Sequence, residues 1–325
     1  MTLFRDGHSV TWQNLSTDWQ MTSFNLLALA SMGLLMKAVA FARPLRVAKN
    51  AQGVFPLSPH EERVGREPER GEADKITSSP QPSPPFSMEE REKKCEPSQH
   101  PRISSRSLQF IFSPVLAPNS LERSQPLSAM PSILRRAGVC LGGLLLYYWI
   151  YWKLVDAFQL HGIILNYLVI PAVLLMTEVF VAIVTILWLP SGRLLPVLHR
   201  NPFAARSVAD FWGRRWNLWM SDWFRYAMFA PLRRRPVLAV WLIFFLSGIL
   251  HEYVLNLGLW LVTGKNLFGT MMIYFLLQAV GVLMERRFLK HRPLTNRLFT
   301  WLIVLAPVPL AWNESMLRTL HLWPK

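Results

Sequence analysis

Two ionisable side chains interrupt an apolar stretch in the segment LSGILHEYVLN. His251 and Glu252 lie near the middle of about 26 otherwise apolar residues, a length that can cross a bilayer. A polar group at membrane depth is costly, which makes it a functional-site hypothesis. Histidine has a reference pKa near 6.5 and therefore suits a general base. We interpret His251 as a candidate base, with a hydrogen bond to a neighbouring helix as the alternative, and Glu252 as a structural residue that could pair with a basic residue of another span.

Three other residues of the apolar segments bear on this interpretation. Ser247 lies one turn before His251 and Gly248 three residues before it, so a substrate or a second helix can come close to that face. Glu178 lies mid-span in a different apolar run. Glu178 could form a hydrogen bond between packed helices or line a polar cavity, and the sequence favours neither role.

A second cluster of polar and aromatic residues, DFWGRRWN, occupies residues 210–217. From this cluster to residue 226, aromatic residues recur at alternating steps of four and three, which is the period of one helical face: Trp212, Trp216, Trp219, Trp223 and Tyr226. The opposite face carries Arg214, Asn217, Ser221 and Arg225. The pattern predicts an amphipathic helix at the membrane interface, with its indole rings at headgroup depth. Ser207 is expected to cap the first turn, three residues before Asp210.

The sequence lacks the motifs of several common enzyme classes. It contains no Walker-type phosphate loop, no GxSxG nucleophile elbow, no HExxH zinc helix and no GxGxxG dinucleotide fingerprint. Its two cysteines, Cys95 and Cys140, indicate neither a disulfide framework nor a thiolate metal site. We therefore expect neither a bound cofactor nor a metal.

Membrane-spanning helices must position these side chains. Hydrophobic residues make up 51% of the 325 residues, and several apolar runs reach about 20 residues, enough to cross a hydrocarbon core of about 30 Å. We predict six spans, at about residues 21–42, 138–158, 163–189, 237–262, 267–284 and 298–312. The first lacks the flanks of a cleaved signal peptide, so we expect it to remain as an anchor.

The basic residues, which give a net charge of +15, are concentrated in three segments. Residues 43–136 contain fifteen Lys and Arg, residues 191–235 contain nine and residues 285–297 contain five, while the rest of the chain contains six. With six spans these three segments share one face, which is the positive-inside pattern and puts both termini on the non-cytoplasmic side. The charge therefore favours membrane topology and anionic headgroups over nucleic acid as a partner.

Composition divides the chain into three parts. Residues 1–43 form an N-terminal segment with the first span, and residues 133–325 form the main membrane domain. Between them, residues 44–132 are rich in Pro, Ser and charged residues and poor in apolar ones, so we predict a disordered loop there. Either a regulatory loop or a tolerated insertion fits this composition.

The run NPFAARSVADFWGRRWN, followed in the next span by SGILHE, resembles the wax synthase branch of the membrane-bound O-acyltransferase family. The resemblance is strong over residues 190 to 257, diffuse over the flanking spans and absent from residues 44–132. It implies an all-α polytopic membrane protein that transfers a fatty acyl group from acyl-CoA, as co-substrate, to the hydroxyl of a long-chain alcohol. The predicted spans are fewer than such acyltransferases usually have.

The resemblance also implies roles for individual residues. His251 matches the family's intramembrane histidine and would act as general base. Asn217 matches the polar residue of the upstream motif and would position a substrate or bind the oxyanion. Arg214 and Arg215 are candidates for contact with the CoA phosphates, although positive-inside topology explains them equally well.

Two alternative functions remain open at the level of sequence. One is an acyltransferase of the same type that acts on a sterol, diacylglycerol or secondary-metabolite hydroxyl. The other is a small proton-coupled transporter that uses His251, Glu252 and Glu178 as a relay. The expected partners are acyl-CoA, a lipid or fatty alcohol and membrane lipids. The expected location is the bacterial inner membrane or the endoplasmic reticulum.

Overall fold

The computed structural model describes residues 3–5, 8–10, 15–41, 124–191, 194–289 and 292–324. Most of the predicted loop 44–132 lies outside the described residues. Its last residues are ordered earlier than predicted, because Gln125 pairs with Leu194 in an antiparallel bridge and an α-helix begins at Met130. The helix that follows the predicted loop thus begins at Met130, and the division of the chain into three parts stays a prediction.

The regular secondary structure of the described residues is helical apart from that bridge and a short antiparallel hairpin of β1 (Leu3–Arg5) and β2 (His8–Val10). The first helices are α1 (Thr17–Phe41), α2 (Met130–Phe158), α3 (Ile163–Trp188), α4 (Val208–Asp210) and α5 (Leu218–Phe224). They are followed by α6 (Pro236–His251), α7 (Leu257–Thr263), α8 (Thr270–Met284), α9 (Pro293–Leu305), α10 (Val308–Ala311) and α11 (Glu314–Thr319). The all-α prediction is confirmed.

Five helical segments are long and apolar enough to cross a membrane: Thr17–Ala40, Leu127–Phe158, Ile163–Trp188, Pro236–Thr263 and Pro293–Ala311. Large apolar side chains project from their outer surfaces, among them Leu27, Leu145 and Leu187, each at least 65% exposed. Such surfaces are stable against lipid and costly in water. The chain is therefore an integral membrane protein with several spans.

The sixth predicted span, residues 267–284, differs from the other five. It contains the 15-residue helix α8, which continues directly into a five-residue π-helix, Glu285–Leu289. Seven residues of α8 are buried, because α6, α9 and α10 pack around it. The helix is thus a short central element of the fold. The location of both termini on the non-cytoplasmic side stays a prediction.

Gly248 lets α6 approach α8 closely. A Cβ atom at this position would lie 2.9 Å from Met272 Sδ and 3.1 Å from Met272 Cα. The second distance is to backbone, which cannot move aside as a flexible side chain does. The small residue near His251 therefore accommodates a second helix, one of the two occupants that the sequence allowed.

We expect Gly248→Ala to lower the free energy of unfolding by about 1–3 kcal/mol, because the added methyl overpacks the contact between α6 and α8. Thermal unfolding of purified protein in detergent would measure the loss. Gly142→Ala is the matched control, since nothing lies within 4 Å of a Cβ at Gly142 in α2. Equal stability of both variants and the wild type would contradict the close approach.

Candidate active site

His251 is the last residue of α6 and has one ring nitrogen committed to the backbone. Its Nδ1 lies 2.7 Å from the carbonyl oxygen of Ser247. A carbonyl oxygen only accepts, so Nδ1 carries the proton and donates it. The neutral ring then has its lone pair on Nε2, which is the state that a general base requires.

The helix changes its geometry directly after His251. Residues Glu252–Asn256 form a π-helix before the α-helical pattern resumes at Leu257. The DFWGRRWN segment also contains a π-helix, Phe211–Arg215. Single-turn π segments are rare and are frequent at functional sites. Both sequence motifs that carry the resemblance therefore include an unusual helical turn.

Glu252 has a structural role. Its Oε1 accepts hydrogen bonds from the backbone N–H groups of Gly269 at 2.9 Å and Met272 at 3.1 Å, at the start of α8. Its Oε2 accepts from Asn256 Nδ2 at 2.7 Å. A carboxylate at a helix N-terminus satisfies otherwise unpaired donors and complements the helix dipole. The predicted structural role is confirmed, but the partners are backbone amides and an asparagine in place of a basic side chain.

Phe275 connects His251 to the aromatic motif. Its ring centroid lies 4.5 Å from that of His251 and 5.7 Å from that of Trp212. Trp212 Nε1 also donates to Gln278 Oε1 at 3.1 Å, which fixes the motif to α8. Helix α8 therefore holds the DFWGRRWN segment against the end of α6.

The predicted single amphipathic helix is wrong in its continuity and in its environment. The segment is divided into α4, a π-helix, a break at Trp216 and Asn217, and then α5. Trp219 and Trp223 are buried in protein, and their indole nitrogens donate to the carbonyl oxygens of Pro196 and Met36 at 3.0 and 2.8 Å. These two indole rings therefore pack inside the protein, whereas the sequence pattern predicted them at the membrane interface.

Asp210 organises the basic part of the motif. This carboxylate is 5% exposed and forms ion pairs with Arg214 at 3.1 Å and Arg215 at 2.6 Å. The predicted cap is confirmed, since the backbone N–H of Asp210 donates to Ser207 Oγ at 2.9 Å. Arg214 and Arg215 therefore have structural partners, and contact of either with CoA stays a prediction.

Asn217 begins α5 in an unusual backbone conformation. Its φ of 41° and ψ of 64° lie in the left-handed region, which asparagine tolerates better than most residues. Its Oδ1 accepts from the N–H of Met220 at 3.3 Å, so the side chain caps the helix. Its own N–H donates to His199 Nδ1 at 3.2 Å. No described hydrogen bond joins Asn217 to His251.

Sequence reasoning missed His199 and Glu285, which support the motif from outside it. Burial raises the pKa of Glu285 to about 7, and its carboxylate accepts from the N–H groups of Val208 and Ala209 at 2.6 and 3.0 Å. Burial lowers the pKa of His199 to about 4. Glu285 lies 77 positions from its partner Val208, and no spacing rule connects the two.

Glu178 forms an ion pair with Arg136 of α2. Both residues line a cavity of about 330 Å³, together with Gln125, Ser132 and Val197. The two options left open for this residue are therefore both present, a contact between helices and a polar cavity. The Arg136 guanidinium neutralises the carboxylate, which leaves it poorly suited to a proton relay.

Comparison with known proteins gives a partial match. Residues 195–277 match the family described as membrane bound O-acyl transferase. The chain is 32% identical over 123 residues to the probable long-chain-alcohol O-fatty-acyltransferase 8 of Arabidopsis thaliana. This alignment covers 31% of this chain and 34% of that protein. It is 40% identical over 64 residues to the long-chain-alcohol O-fatty-acyltransferase of Simmondsia chinensis, or 16% of this chain and 18% of that protein.

A longer alignment reaches 30% identity over 141 residues, with the probable long-chain-alcohol O-fatty-acyltransferase 3 of Arabidopsis thaliana. It covers 38% of this chain and 40% of that protein. The chain thus spans less than half the length of the curated relatives that it matches. The matches confirm the resemblance found in the sequence, and the family match covers both Asn217 and His251.

We expect Glu252→Ala to destabilise the protein, because it removes the acceptor of two half-buried N–H groups, each of which costs up to about 1–3 kcal/mol when left unpaired. Glu252→Gln keeps an oxygen that can accept from Gly269 and Met272, and should lose much less. Thermal unfolding of both variants would measure the difference. An alanine variant as stable as the glutamine variant would contradict the helix-cap role.

The stability of the protein should also depend on His199 at acidic pH. Its folded pKa of about 4 lies below the ordinary 6.5, so the stabilisation is complete above pH 6.5 and is lost as the pH falls towards 4. The loss should be of the order of 3 kcal/mol relative to His199→Asn, which does not titrate. Glu178 raises the pKa of His199 and Arg136 lowers it, so their effects on this pKa oppose each other.

Unfolding temperatures of the wild type and His199→Asn would be compared between pH 7.5 and 4.5. The comparison removes the contribution of Glu285, which both proteins share. Parallel pH profiles would show that His199 is not held neutral by burial.

Proposed function

We propose, from the membrane-bound O-acyltransferase match of residues 195–277, that the protein is an acyltransferase. It transfers a fatty acyl group from acyl-CoA to the hydroxyl of a long-chain alcohol and so makes a wax ester. The names of the matched relatives support this acceptor class. Acyl-CoA is a co-substrate in this proposal, and no bound cofactor takes part.

The observation that carries the proposal is the hydrogen bond of His251. Donation from Nδ1 to Ser247 leaves Nε2 as the proton acceptor, on a side chain within an apolar segment. An alcohol is a weak acid and needs such a base to attack a thioester. The same bond stabilises the imidazolium that forms when the proton arrives.

The reaction follows from these groups. The alcohol oxygen attacks the thioester carbonyl carbon while His251 Nε2 takes the hydroxyl proton. The tetrahedral intermediate then collapses, the carbon–sulfur bond breaks, and the thiolate leaves. The imidazolium returns its proton to that thiolate, so the products are an ester and free CoA.

Asn217 would supply a hydrogen bond to the developing oxyanion. Its Oδ1 accepts from Met220, whereas its Nδ2 donates to none of the described residues and can supply the hydrogen bond. Loss of one such donor typically lowers turnover by a factor of about 10²–10³. Arg214, with a side chain 37% exposed, would reach the CoA phosphates more readily than Arg215, with a side chain 21% exposed.

The membrane gives this reaction a physical advantage. Fatty alcohols and acyl chains dissolve in the bilayer, whereas the nucleotide part of CoA stays in water. A base in a spanning helix, close to a basic cytoplasmic segment, lets the two substrates meet without either leaving its phase. The same chemistry would serve a sterol, diacylglycerol or other hydroxyl acceptor.

The transporter alternative is less well supported. A relay through His251 would need Glu252 and Glu178 to exchange protons. Glu252 accepts three hydrogen bonds, and Glu178 is paired with Arg136. Both carboxylates have structural partners that a moving proton would disrupt.

Membrane preparations with labelled palmitoyl-CoA and hexadecanol would test the proposal, with wax ester and free CoA as the readout. We expect His251→Ala to lower turnover by about 10²–10⁴-fold. His161→Ala is the matched control, because His161 is an exposed histidine next to α3. Proton or substrate flux in liposomes without CoA release would instead support a transporter.

Asn217 requires a careful choice of substitution. Alanine would add backbone strain at φ 41°, whereas Asn217→Gly tolerates this conformation. We expect Asn217→Gly to lower the turnover number while the amount of inserted protein stays unchanged. A panel of sterol, diacylglycerol and short alcohols in the same assay would identify the acceptor. Undiminished turnover in the glycine variant would exclude the proposed oxyanion contact.

A further inference from the structure

We propose that His199 is a positioning residue that acts through Asn217, an inference that rests on the proposed function. His199 lies 18 positions before Asn217, outside the DFWGRRWN motif. The contact that matters is the hydrogen bond from the N–H of Asn217 to Nδ1 of His199, at 3.2 Å.

Backbone pairing holds His199 beside the break between the π-helix and α5. The N–H of Arg200 donates to the carbonyl of Arg215 at 2.8 Å. The N–H of Leu218 donates to the carbonyl of Leu198 at 2.8 Å. These bonds flank His199 on one segment and Asn217 on the other, so the backbone of His199 cannot move away from Asn217 without breaking the pairing.

The ring itself is fixed by burial and stacking. His199 is 8% exposed, and its centroid lies 4.5 Å from that of Trp216. Its Nδ1 accepts a hydrogen bond, so the proton of the neutral ring is on Nε2. Burial disfavours the imidazolium, in which both ring nitrogens would donate, so Nδ1 is kept as an acceptor. Nε2 is buried and has no hydrogen-bond partner among the described residues.

Asn217 needs such an acceptor for two reasons. Its left-handed conformation is unfavourable for a residue with a Cβ atom, so the surrounding contacts must stabilise it. Its N–H also lies at the start of a helix, where no carbonyl of the same helix can accept it. His199 satisfies this donor and selects the conformation.

The two hydrogen bonds of Asn217 together fix the direction of its amide group. His199 Nδ1 holds the backbone N–H, and the N–H of Met220 holds Oδ1. Without His199 the residue can relax to an ordinary backbone conformation, which redirects Nδ2. A displacement of about 1 Å at such a group can lower a rate by about 100-fold.

Three substitutions separate the two ring nitrogens. The oxygen of His199→Asn can occupy the place of Nδ1 and accept from Asn217, whereas His199→Gln can replace only Nε2. We expect His199→Ala and His199→Gln to lower kcat by about 10- to 100-fold with little change in KM. We expect His199→Asn to recover most of the lost kcat.

A second background tests whether His199 acts through Asn217. In Asn217→Gly, where the amide is absent, the further change His199→Ala should lower kcat by less than twofold. A purely structural role would keep its full effect in this background. Recovery by His199→Gln in place of His199→Asn, or a full effect of His199→Ala in the Asn217→Gly protein, would overturn the proposal.

The assay distinguishes this inference from the function on which it rests. If the wild-type protein forms no ester with any acceptor, the proposed function fails and this inference fails with it. If the wild type forms ester and His199→Ala does so equally well, only the role of His199 is excluded. Protein yield and unfolding temperature, measured for each variant, separate loss of kcat from loss of folded protein.

Discussion

The structure depends on pairing polar groups that are removed from water. An unpaired backbone N–H costs more in an apolar interior than most single contacts contribute, so helix ends within a membrane protein need dedicated acceptors. Two carboxylates meet this need here. Glu252 caps the start of α8, and Glu285, just beyond the end of α8, caps the start of α4. The central helix thereby connects the spanning helix of His251 to the aromatic motif.

Much of the architecture could be predicted from apolar run length, because that signal is local. Five of the six predicted spans match long apolar helices. The environment of the tryptophans could not be predicted in this way. A period of three and four residues shows which side chains share a face, but not whether lipid or protein covers it. Trp223, for example, packs against a helix 187 positions away.

The candidate site shows the same division. His251 and Asn217 stand out by residue type and by the wording of their motifs, and Ser207 could be identified from capping rules. His199 carries no such signal, since a lone histidine in a basic segment has many explanations. Only the fold brings it next to Asn217. The two histidines also use their rings in opposite ways, with Nδ1 as donor in His251 and as acceptor in His199.

The short length of α8 has a consequence for the surrounding bilayer. Its fifteen residues extend about 22 Å along the helix axis, and the π-helix that follows adds about one turn, so the element stays below the hydrocarbon thickness of about 30 Å. One side of this central helix stays uncovered by protein, where the apolar side chains of Ile273 and Met284 are exposed and would be stable against lipid. Hydrophobic mismatch of this kind is relieved when the membrane thins locally. Headgroups and water would then lie nearer to His251 than at the other spans, which shortens the path between the aqueous and lipid phases.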